Sequence, residues 1–197
     1  MKIGVLALQG DFLEHLTVLH RLGVEACEVR LKEQLEGLDG LIIPGGESTT
    51  MGKLAESYAL IEPLRQFGIE KAIWGTCAGG ILLSKDAHRP QPLLHLMDMT
   101  VERNAFGRQV NSFEIDLDVP ELCKVDPSGR PYHAIFIRAP LIESVRGDAR
   151  ALASLPDGRI VAVRQGKLLA TSFHPELTED TRFHRYFIEL AGATQHD

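Results

Sequence analysis

The sequence predicts an α/β fold, built on an open, mostly parallel sheet with helices on both faces and with antiparallel additions in the C-terminal half. Two observations predict it. In the first half, near-continuous apolar runs alternate with amphipathic stretches, which is typical of buried parallel strands joined by helices. In the second half, short strand-like runs follow one another with turn signals between them, which is typical of hairpins.

The first half is predicted to run strand, helix, strand, strand, helix, strand, helix, and this alternation favours parallel pairing. Asp11 is placed to cap the first helix, and Gly23 to end it. Ser48, Thr49 and Thr50 offer hydroxyl caps for the second helix. The predicted strands are residues 3–8, 24–30, 38–43 and 71–74, and the predicted helices are residues 11–22, the fifties and sixties, and 78–83.

The second half is predicted to hold five short strands, a polar surface loop and a closing helix. Pro156-Asp157-Gly158 and Gln165-Gly166-Lys167 are typical of hairpin turns. The strands are residues 113–119, 134–138, 151–155, 160–164 and 168–173, the loop is 122–131, and the helix is 182–190. Because no repeat, low-complexity tract or linker divides the chain, residues 1–197 are expected to form one domain.

Composition and charge exclude several classes of function. The formal net charge is −6 and no Lys/Arg cluster stands out, so nucleic acid is not an expected partner. No apolar run is long enough to cross a bilayer, and Asp11 and Glu14 soon follow the short apolar start, unlike a signal peptide. A cytoplasmic protein is therefore expected. The three cysteines form no C-x-x-C pair and the histidines lack H-E-x-x-H spacing, so no disulfide framework, metal or cofactor is expected.

The clearest chemical signal is a cysteine on a tight turn, Gly75-Thr76-Cys77-Ala78-Gly79. A strand, a G-x-C-x-G turn and a helix repeat the arrangement of a nucleophile elbow, in which the reactive side chain projects from a sharp turn. The helix N-terminus favours the thiolate of a residue whose usual pKa is about 8.5. The pattern also fits a small buried cysteine on a Gly-rich bend, so the turn alone leaves both interpretations open.

A candidate base for Cys77 follows the last predicted strand, in His174-Pro175-Glu176. Pro175 restricts His174 to extended backbone, and residues two apart in an extended chain project to the same side. Glu176 is therefore expected to approach the imidazole and orient it, as a nucleophile–base pair requires. By itself the motif also fits a surface turn.

A third segment, Pro44-Gly45-Gly46-Glu47-Ser48-Thr49-Thr50, follows a predicted parallel strand. Its two glycines can direct backbone N–H groups at an anion. It lacks the G-x-x-x-x-G-K-[ST] pattern, so a nucleotide P-loop is excluded. Beside a thiolate, the expected anion is the oxyanion of a tetrahedral intermediate. An ordinary strand-to-helix turn is the alternative.

Together these motifs resemble a known family. The segment 75–79 with His174-Pro175-Glu176 resembles the class I (triad) glutamine amidotransferases. Segments 6–10, 44–50, 101–109 and 136–140 extend the resemblance over nearly the whole chain, to the glutaminase subunits of pyridoxal 5′-phosphate synthase. Arg103-Asn104-Ala105-Phe106-Gly107 and Ile137-Arg138-Ala139-Pro140 are the segments that select this member of the superfamily.

The resemblance implies that the chain hydrolyses L-glutamine. Cys77 attacks the side-chain amide, His174 assists proton transfer, and Glu176 orients His174. Ammonia leaves, and water converts the glutamyl thioester to glutamate. The implied glutamine-binding residues are Gly46, Glu47, Ser48, Arg103, Ile137 and Arg138, and the oxyanion candidates are Gly45, Gly46 and Ala78. A guanidinium binds an α-carboxylate bidentately, which fits the two arginines.

The resemblance also implies a partner, because the chain has no spare domain in which to build a pyridoxal ring. Ammonia is expected to pass to a separate pyridoxal 5′-phosphate synthase subunit in a hetero-oligomeric complex, and glutaminase activity is expected to be low until that subunit docks. A turn of the Gly45–Gly46 peptide is the hypothetical switch. Two features depart from the family pattern: Gly80 stands where a larger apolar residue such as Met is expected, and the loop at 122–131 is longer than usual.

Three other functions remain open. The first is a glutaminase subunit for another synthase, such as imidazole glycerol phosphate or anthranilate synthase. The second is an elbow-cysteine hydrolase or stress protein on a similar sheet, and the third is a regulatory module with a relic site. The Arg103 and Arg138 segments argue against the first, His174-Pro175-Glu176 argues against the second, and the complete set of Cys77, His174 and Glu176 argues against the third.

Overall fold

The computed structural model describes residues 1–103 and 112–193. The strands are β1 Lys2–Leu6, β2 Glu25–Val29, β3 Gly40–Ile43, β4 Ala72–Thr76, β5 Ser84–Asp86, β6 Met97–Glu102, β7 Ser112–Leu117, β8 Tyr132–Ile137, β9 Leu141–Val145, β10 Arg150–Ser154, β11 Ile160–Gln165 and β12 Leu168–Thr171. The helices are α1 Phe12–Arg21, α2 Ser48–Ser57, α3 Ile61–Glu70, α4 Ala78–Leu83 and α5 Arg182–Gly192. Three short 3-10 helices lie at Lys32–Leu35, Pro120–Lys124 and Pro175–Leu177.

In these two ranges, ten strands form one sheet and β7 pairs with β8 in a second. The large sheet runs β2-β1-β3-β4-β12-β11-β9-β6-β5, and β10 also pairs with β11. The strands from β2 to β12 in this order are parallel, whereas β11 is antiparallel to β9, β10 and β12. The predicted fold class is confirmed, including the parallel first half and the antiparallel additions.

Helices cover both faces of the large sheet. On one face α1 and α5 bury Leu19 and Phe187 against strand residues that include Trp74. On the other face α2, α3 and α4 form a second apolar layer, in which Met51 packs with Ile73. Burial of these layers is the main stabilising contribution to the fold. The two helical layers also fix the positions of the ends of the strands that lie between them.

The small β7–β8 sheet packs on the α5 face through aromatic side chains. The rings of Tyr132 and Phe183 lie 4.7 Å apart, and those of Phe136 and Phe173 lie 5.6 Å apart. Both pairs are edge-on, the arrangement that aromatic rings favour. The segment that follows β12 is thereby fixed against β8.

Two helices begin differently from the prediction. Asp11 precedes α1, but its side chain makes no capping hydrogen bond. At α2 the capping side chain is Glu47, which accepts hydrogen bonds from the N–H groups of Thr49 and Thr50, rather than one of the predicted hydroxyls. A carboxylate accepts two N–H groups at once and also complements the helix dipole, which favours it over a hydroxyl.

The single helix predicted through the fifties and sixties is wrong, because the chain turns between α2 and α3. Ala59 has a φ of 54°, and the next residue, Leu60, is fully buried. Strands β5, β6 and β9 were not predicted. Buried and partly exposed residues alternate along β6, whose sequence mixes polar and apolar residues, and β5 has only three residues. Neither strand therefore gives the apolar run from which a strand is predicted.

The predicted surface loop at 122–131 is wrong in part, because it docks on α5. It begins in a 3-10 helix, and Leu122 and Val125 are buried. Arg185 donates to the carbonyl oxygen of Val125 and Arg182 to that of Pro131, each at 2.7 Å. The two arginines are spaced on α5 to hold the polar backbone of this segment. Separately, no helix within 1–103 and 112–193 is long and apolar enough to span a bilayer.

Candidate active site

The candidate active site lies at the carboxyl edge of the parallel half of the sheet. Strands β1, β3, β4 and β12 are parallel neighbours that end there. The segments that follow them contain Gln9, Gly45, Cys77 and His174, in that order. Ligand sites of open α/β sheets gather at this edge. The topology therefore brings together motifs that are far apart in the sequence.

Cys77 occupies a strained turn between β4 and α4. Its φ is 47° and its ψ is −105°, a region that a non-glycine residue occupies only when its surroundings enforce it. Its N–H donates a 2.7 Å hydrogen bond to the carbonyl oxygen of Thr171, at the end of β12. A Cβ on Gly75 would overlap the carbonyl group of Gly79. The glycines therefore allow the turn, and the bond to β12 holds the cysteine in place.

His174 connects the thiol to a carboxylate. Its Nδ1 lies 2.7 Å from Oε1 of Glu176, and the side chain of Cys77 lies close enough to the ring to raise its pKa. Burial by itself lowers the pKa of His174, but the hydrogen bonds and charges of Cys77 and Glu176 outweigh burial and raise the pKa to about 10. The imidazolium is therefore favoured at neutral pH, and it stabilises a thiolate beside it.

Two carboxylates face His174, and they differ in burial. Glu176 is 7% exposed. Burial raises its pKa, while the hydrogen bond and charge of His174 oppose that rise. Asp11 approaches the same nitrogen, with Oδ2 at 3.7 Å, but its side chain is 44% exposed. Solvent screens Asp11, so Glu176 dominates the orientation of the ring.

A buried layer of polar side chains lies beneath the site. His15 on α1 and His184 on α5 are fully buried, and Nδ1 of His15 is 3.0 Å from Nε2 of His184. Nε2 of His15 lies 3.2 Å from Oγ1 of Thr76 and 3.4 Å from Oε2 of Glu176. Burial lowers the pKa of both histidines, that of His184 to about 3. Sequence reasoning placed these residues on helices, but no spacing links them to Glu176.

Gly45 lies directly against the imidazole of His174. A Cβ at this position would be 2.7 Å from Cε1 of His174. The carbonyl oxygen of Gly45 accepts a 3.1 Å hydrogen bond from the N–H of Asp11. This oxyanion candidate is therefore beside His174, and the segment after β1 holds its carbonyl group.

The other two oxyanion candidates also adjoin the site. Gly46 has a φ of 152°, and a Cβ there would overlap the side chain of Gln9. The same glutamine accepts a 2.8 Å hydrogen bond from the N–H of Glu47. Ala78 is the buried first residue of α4, next to Cys77. The backbone at Gly46 has a conformation and a close contact that only glycine permits.

Three predicted glutamine-binding residues form one polar cluster. Nη2 of Arg103 donates to Oε1 of Glu47 at 2.7 Å, and its Nη1 donates to Oγ1 of Thr49 at 2.7 Å. Ser48 donates to Oε1 of Gln91 at 3.4 Å. Gln91 belongs to no motif, and no sequence signal could have identified it. The cluster places a cation and an anion side by side at the start of α2.

The charge of Glu47 is strongly stabilised. Burial alone would raise its pKa, but hydrogen bonds from Thr50 and Thr49, together with that from Arg103, lower the pKa to about 2. Glu47 is therefore ionised at any physiological pH.

Ile137 and Arg138 lie at the end of β8, which runs beside the segment carrying His174. The N–H of His174 donates to the carbonyl oxygen of Ile135 at 2.8 Å. Ile137 is 39% exposed, and Arg138 has a φ of 46°. In the two described ranges, no hydrogen bond or ion pair joins Arg138 to the Arg103 cluster. Residues 104–109 of the predicted family segment lie outside the described residues.

Asp11, His174 and Glu176 also place potential metal ligands within 4.8 Å of one another. However, the two sides of the imidazole are already used by Glu176 and Cys77. The set is better explained as an imidazole that a carboxylate orients toward a cysteine. The expectation that no metal takes part stays a prediction.

A cysteine turn beside a buried His–Glu pair at the carboxyl edge of a parallel sheet is the arrangement expected of a glutamine amidotransferase. The chain belongs to the SNO glutamine amidotransferase family, whose profile matches residues 5–192.

Curated relatives match along nearly their whole length. A protein of Herpetosiphon aurantiacus named pyridoxal 5′-phosphate synthase subunit PdxT is 58% identical over 195 residues, covering 96% of this chain and 100% of the relative. The protein of the same name from Moorella thermoacetica is 54% identical over 196 residues, covering 98% and 100%. The predicted family is thereby confirmed.

Solved structures match the fold. A crystal structure of a glutamine amidotransferase, 54% identical, superposes with a TM-score of 0.89 and covers 97% of this chain and 99% of the other. The structure of PurLQS from Thermotoga maritima, at 16% identity, has a TM-score of 0.70 over 95% and 97% of the two chains, and shares the fold alone.

Proposed function

We propose that this chain is the glutaminase subunit of a pyridoxal 5′-phosphate synthase. It hydrolyses L-glutamine to L-glutamate and ammonia, and it delivers the ammonia to a separate synthase subunit. The observation that carries the chemistry is the imidazole of His174, held between the thiol of Cys77 and the buried carboxylate of Glu176. Identities of 58% and 54% to proteins named as subunits of that synthase support the pathway.

The first half of the reaction forms a glutamyl thioester. The thiolate of Cys77 attacks the side-chain carbonyl carbon, and the carbonyl oxygen becomes an oxyanion. Backbone N–H groups from the candidates Gly45, Gly46 and Ala78 stabilise it, and one such donor is worth about 2.7–4 kcal/mol in the transition state. The imidazolium of His174 gives its proton to the amide nitrogen, the C–N bond breaks, and ammonia leaves.

The second half releases glutamate. Water attacks the thioester carbon while the neutral His174 accepts a proton from it. The C–S bond then breaks, Cys77 leaves as a thiolate, and the imidazolium is restored. Glu176 stays ionised throughout, because its role is to orient the ring and stabilise its charged form. Atoms and charges balance, so the triad returns to its starting state.

The Arg103–Glu47 pair supports free glutamine as the substrate. A guanidinium suits the α-carboxylate of an amino acid, and a carboxylate suits its α-ammonium group. Their 2.7 Å contact places the two charges as close together as those of the amino acid. Gly46 and Ser48 flank Glu47 as further lining residues. Ile137 and Arg138 belong to the proposed site from the side of β8.

Delivery of ammonia to the synthase subunit is proposed to be coupled to a switch in the active site. The Gly45–Gly46 peptide is the proposed switch, since the Gly45 carbonyl bonds to Asp11 here and a glycine peptide turns at low cost. Docking of the synthase would reorient that peptide and complete the oxyanion site. A cytoplasmic location is part of the proposal, because the reaction needs a free thiol and all three cysteines are free.

The test is glutamate formation from L-glutamine by this chain, with and without a purified pyridoxal 5′-phosphate synthase subunit. Cys77→Ala is assayed in parallel as the matched control. We expect turnover mainly in the presence of the synthase subunit and none in the variant. Equal turnover with and without the partner contradicts the switch. Equal turnover by parent and Cys77→Ala contradicts the proposed chemistry.

A further inference from the structure

We propose that His15 is a positioning residue for the catalytic carboxylate. From beneath the active site, its Nε2–H group lies between Thr76 and Oε2 of Glu176, the oxygen that does not face His174, and supports the negative charge of that carboxylate. The inference rests on the proposed glutaminase function and adds a residue that lies outside every motif of the sequence.

The first observation is the unequal solvation of the two carboxylate oxygens of Glu176. Oε1 is bound by Nδ1 of His174 at 2.7 Å. Oε2 is buried and accepts no hydrogen bond from residues 1–103 or 112–193. Nε2 of His15 lies 3.4 Å from it, within hydrogen-bond distance but not aligned for a hydrogen bond. A buried carboxylate oxygen without a donor is costly, so this nitrogen decides how stable the anion is.

The second observation fixes the tautomers of the two buried histidines. His184 contacts His15 through Nε2, and its Nδ1 has no partner in the described part of the chain. A proton on Nδ1 of His184 would be a buried, unsatisfied donor, whereas a bare Nδ1 costs less. The proton therefore lies on Nε2 of His184, which donates to Nδ1 of His15.

The tautomer of His15 follows from that of His184. Because Nδ1 of His15 accepts, its own proton lies on Nε2, directed at Thr76 and Glu176. The opposite arrangement would place a bare nitrogen lone pair against a carboxylate oxygen. A relay of donors thus runs from α5 through α1 to the catalytic carboxylate.

Neutral rings suit this relay. Burial, helped by the nearby charges of His184 and His174, lowers the pKa of His15 well below its ordinary value. His15 therefore places an N–H dipole beside Glu176 without competing with His174 as a second cation. Among the described residues, several titratable groups face His174 and Glu176 from the elements around them. They are Asp11 before α1, His15 on α1, Cys77 before α4, Tyr132 on β8 and His184 on α5.

The expected consequence is a narrower pH window when this donor is lost. The N–H supports the negative charge on Glu176, which supports the imidazolium of His174, which in turn supports the thiolate. Without this N–H group, the pKa of His174 should fall, and the thiolate of Cys77 should lose support from the imidazolium. The alkaline and acid limbs of the kcat/KM profile should then move toward each other, while KM for glutamine should change little.

The test compares His15→Phe with the parent in the complex with the synthase subunit. We expect a ten- to hundredfold lower kcat and both limbs moved inward by about one pH unit, from the loss of one donor to a charged group. His15→Gln, which can return an N–H near the Nε2 position, should recover much of the loss. Trp74→Phe is the structural control, because it alters the packing beside the His15 ring. It should lower the maximum of the kcat/KM–pH profile without moving its acid or alkaline limb.

A direct measurement needs no turnover. The His174 ring is titrated by NMR in the free chain carrying Cys77→Ala, with and without His15→Phe, and we expect its pKa to fall by about one unit. An unchanged pKa and unchanged limbs overturn the inference. If the parent shows no glutaminase activity, the proposed function fails, but the titration still decides the role of His15. If His15→Phe does not fold, His184→Leu removes the donor to Nδ1 and should give a smaller shift in the same direction.

Discussion

Gly79 lies against the main chain of Ile43 so closely that a Cβ on the glycine would overlap the Ile43 carbonyl group. This contact joins α4 to the end of β3 and sets the height of Cys77 above the sheet. One residue on, a Cβ at Gly80 would lie 3.5 Å from the carbonyl oxygens of Gly75 and Thr171, which is an ordinary contact. Gly80, which stands where the family pattern has a larger residue, therefore has space for a methyl group beside it. The turn at Cys77 does not require glycine at this position.

We expect Gly80→Ala to stabilise the chain and Gly79→Ala to destabilise it. Glycine inside a helix costs roughly 0.5–1 kcal/mol relative to alanine, so Gly80→Ala should raise the free energy of unfolding by about that amount. Gly79→Ala should lower it and should also reduce glutaminase activity, because α4 must move. Urea unfolding followed by circular dichroism measures both. Equal effects of the two substitutions would contradict the packing described for this turn.

Glu176 and Asp11 should differ sharply in their effect on catalysis. Glu176→Gln keeps the shape of the side chain but removes the charge that stabilises the imidazolium, so kcat should fall by roughly 10²–10⁴-fold. Asp11→Asn removes a half-exposed, more distant charge, and we expect a change of less than about tenfold. Steady-state glutaminase assays of the two variants in the synthase complex make the comparison. A larger loss from Asp11→Asn would reverse the assignment.

Arg103→Lys should weaken glutamine binding more than turnover. Lysine keeps the charge but not the planar fork that contacts Glu47 and Thr49, so KM should rise roughly ten- to hundredfold, as expected for losing one hydrogen bond to a charged group. The rate at saturating glutamine should stay within severalfold of the parent. Arg30→Lys is the control, because Arg30 pairs with Glu28 on an exposed strand end. A fall in kcat at constant KM would place Arg103 outside the substrate site.

His184 should make the chain sensitive to acid. Its pKa is lowered from 6.5 to about 3 in the folded state, so below pH 6.5 the unfolded chain binds a proton more readily than the folded one. Stability is therefore fully present above that pH and falls as the pH drops toward 3. For this one group the loss between pH 6.5 and 4.5 is about 2 kcal/mol.

Urea unfolding at several pH values between 7.5 and 4.5 tests this, with His184→Leu compared with the parent. The variant should be less stable at neutral pH but should lose less stability on acidification. His20→Gln, on the exposed side of α1, is the control and should leave the slope unchanged. Parallel curves for parent and His184→Leu would show that another group causes the acid sensitivity.

The parallel core could be predicted from the sequence because its signals are local. The apolar runs at β1, β3, β4 and β12, the left-handed Gly23 after α1 and the turn at Cys77 each depend on residues close together in the chain. The structure also shows hairpins at both predicted turns, between β10 and β11 and between β11 and β12. By contrast, β6 and β9 have mixed sequences and pair with each other next to the edge strand β5, so their strand conformation depends on pairing with distant segments.

The candidate site was only partly accessible to the same reasoning. The contact of Glu176 with His174 was predicted from an extended backbone, but Pro175–Leu177 is a 3-10 helix, so the contact forms with a different local geometry. The contact of His15 with Glu176 and that of Gln91 with Ser48 depend on how distant elements pack. Asp11 is instructive: it was predicted to cap α1, but its side chain faces the imidazole instead. The prediction of one domain over residues 1–197 stays a prediction.

Trp74 is the single tryptophan of the chain, and it is fully buried on β4, three residues before Cys77. Its ring centroid lies 5.8 Å from that of His15 and 5.0 Å from that of His184. Tryptophan fluorescence therefore reports from one place only, the buried layer directly beneath Cys77. Protonation or displacement of either imidazole should alter the emission without any label. The protein thus contains an intrinsic fluorescent probe of the buried His15–His184 pair, and its emission can be followed while glutamine binds or a partner docks.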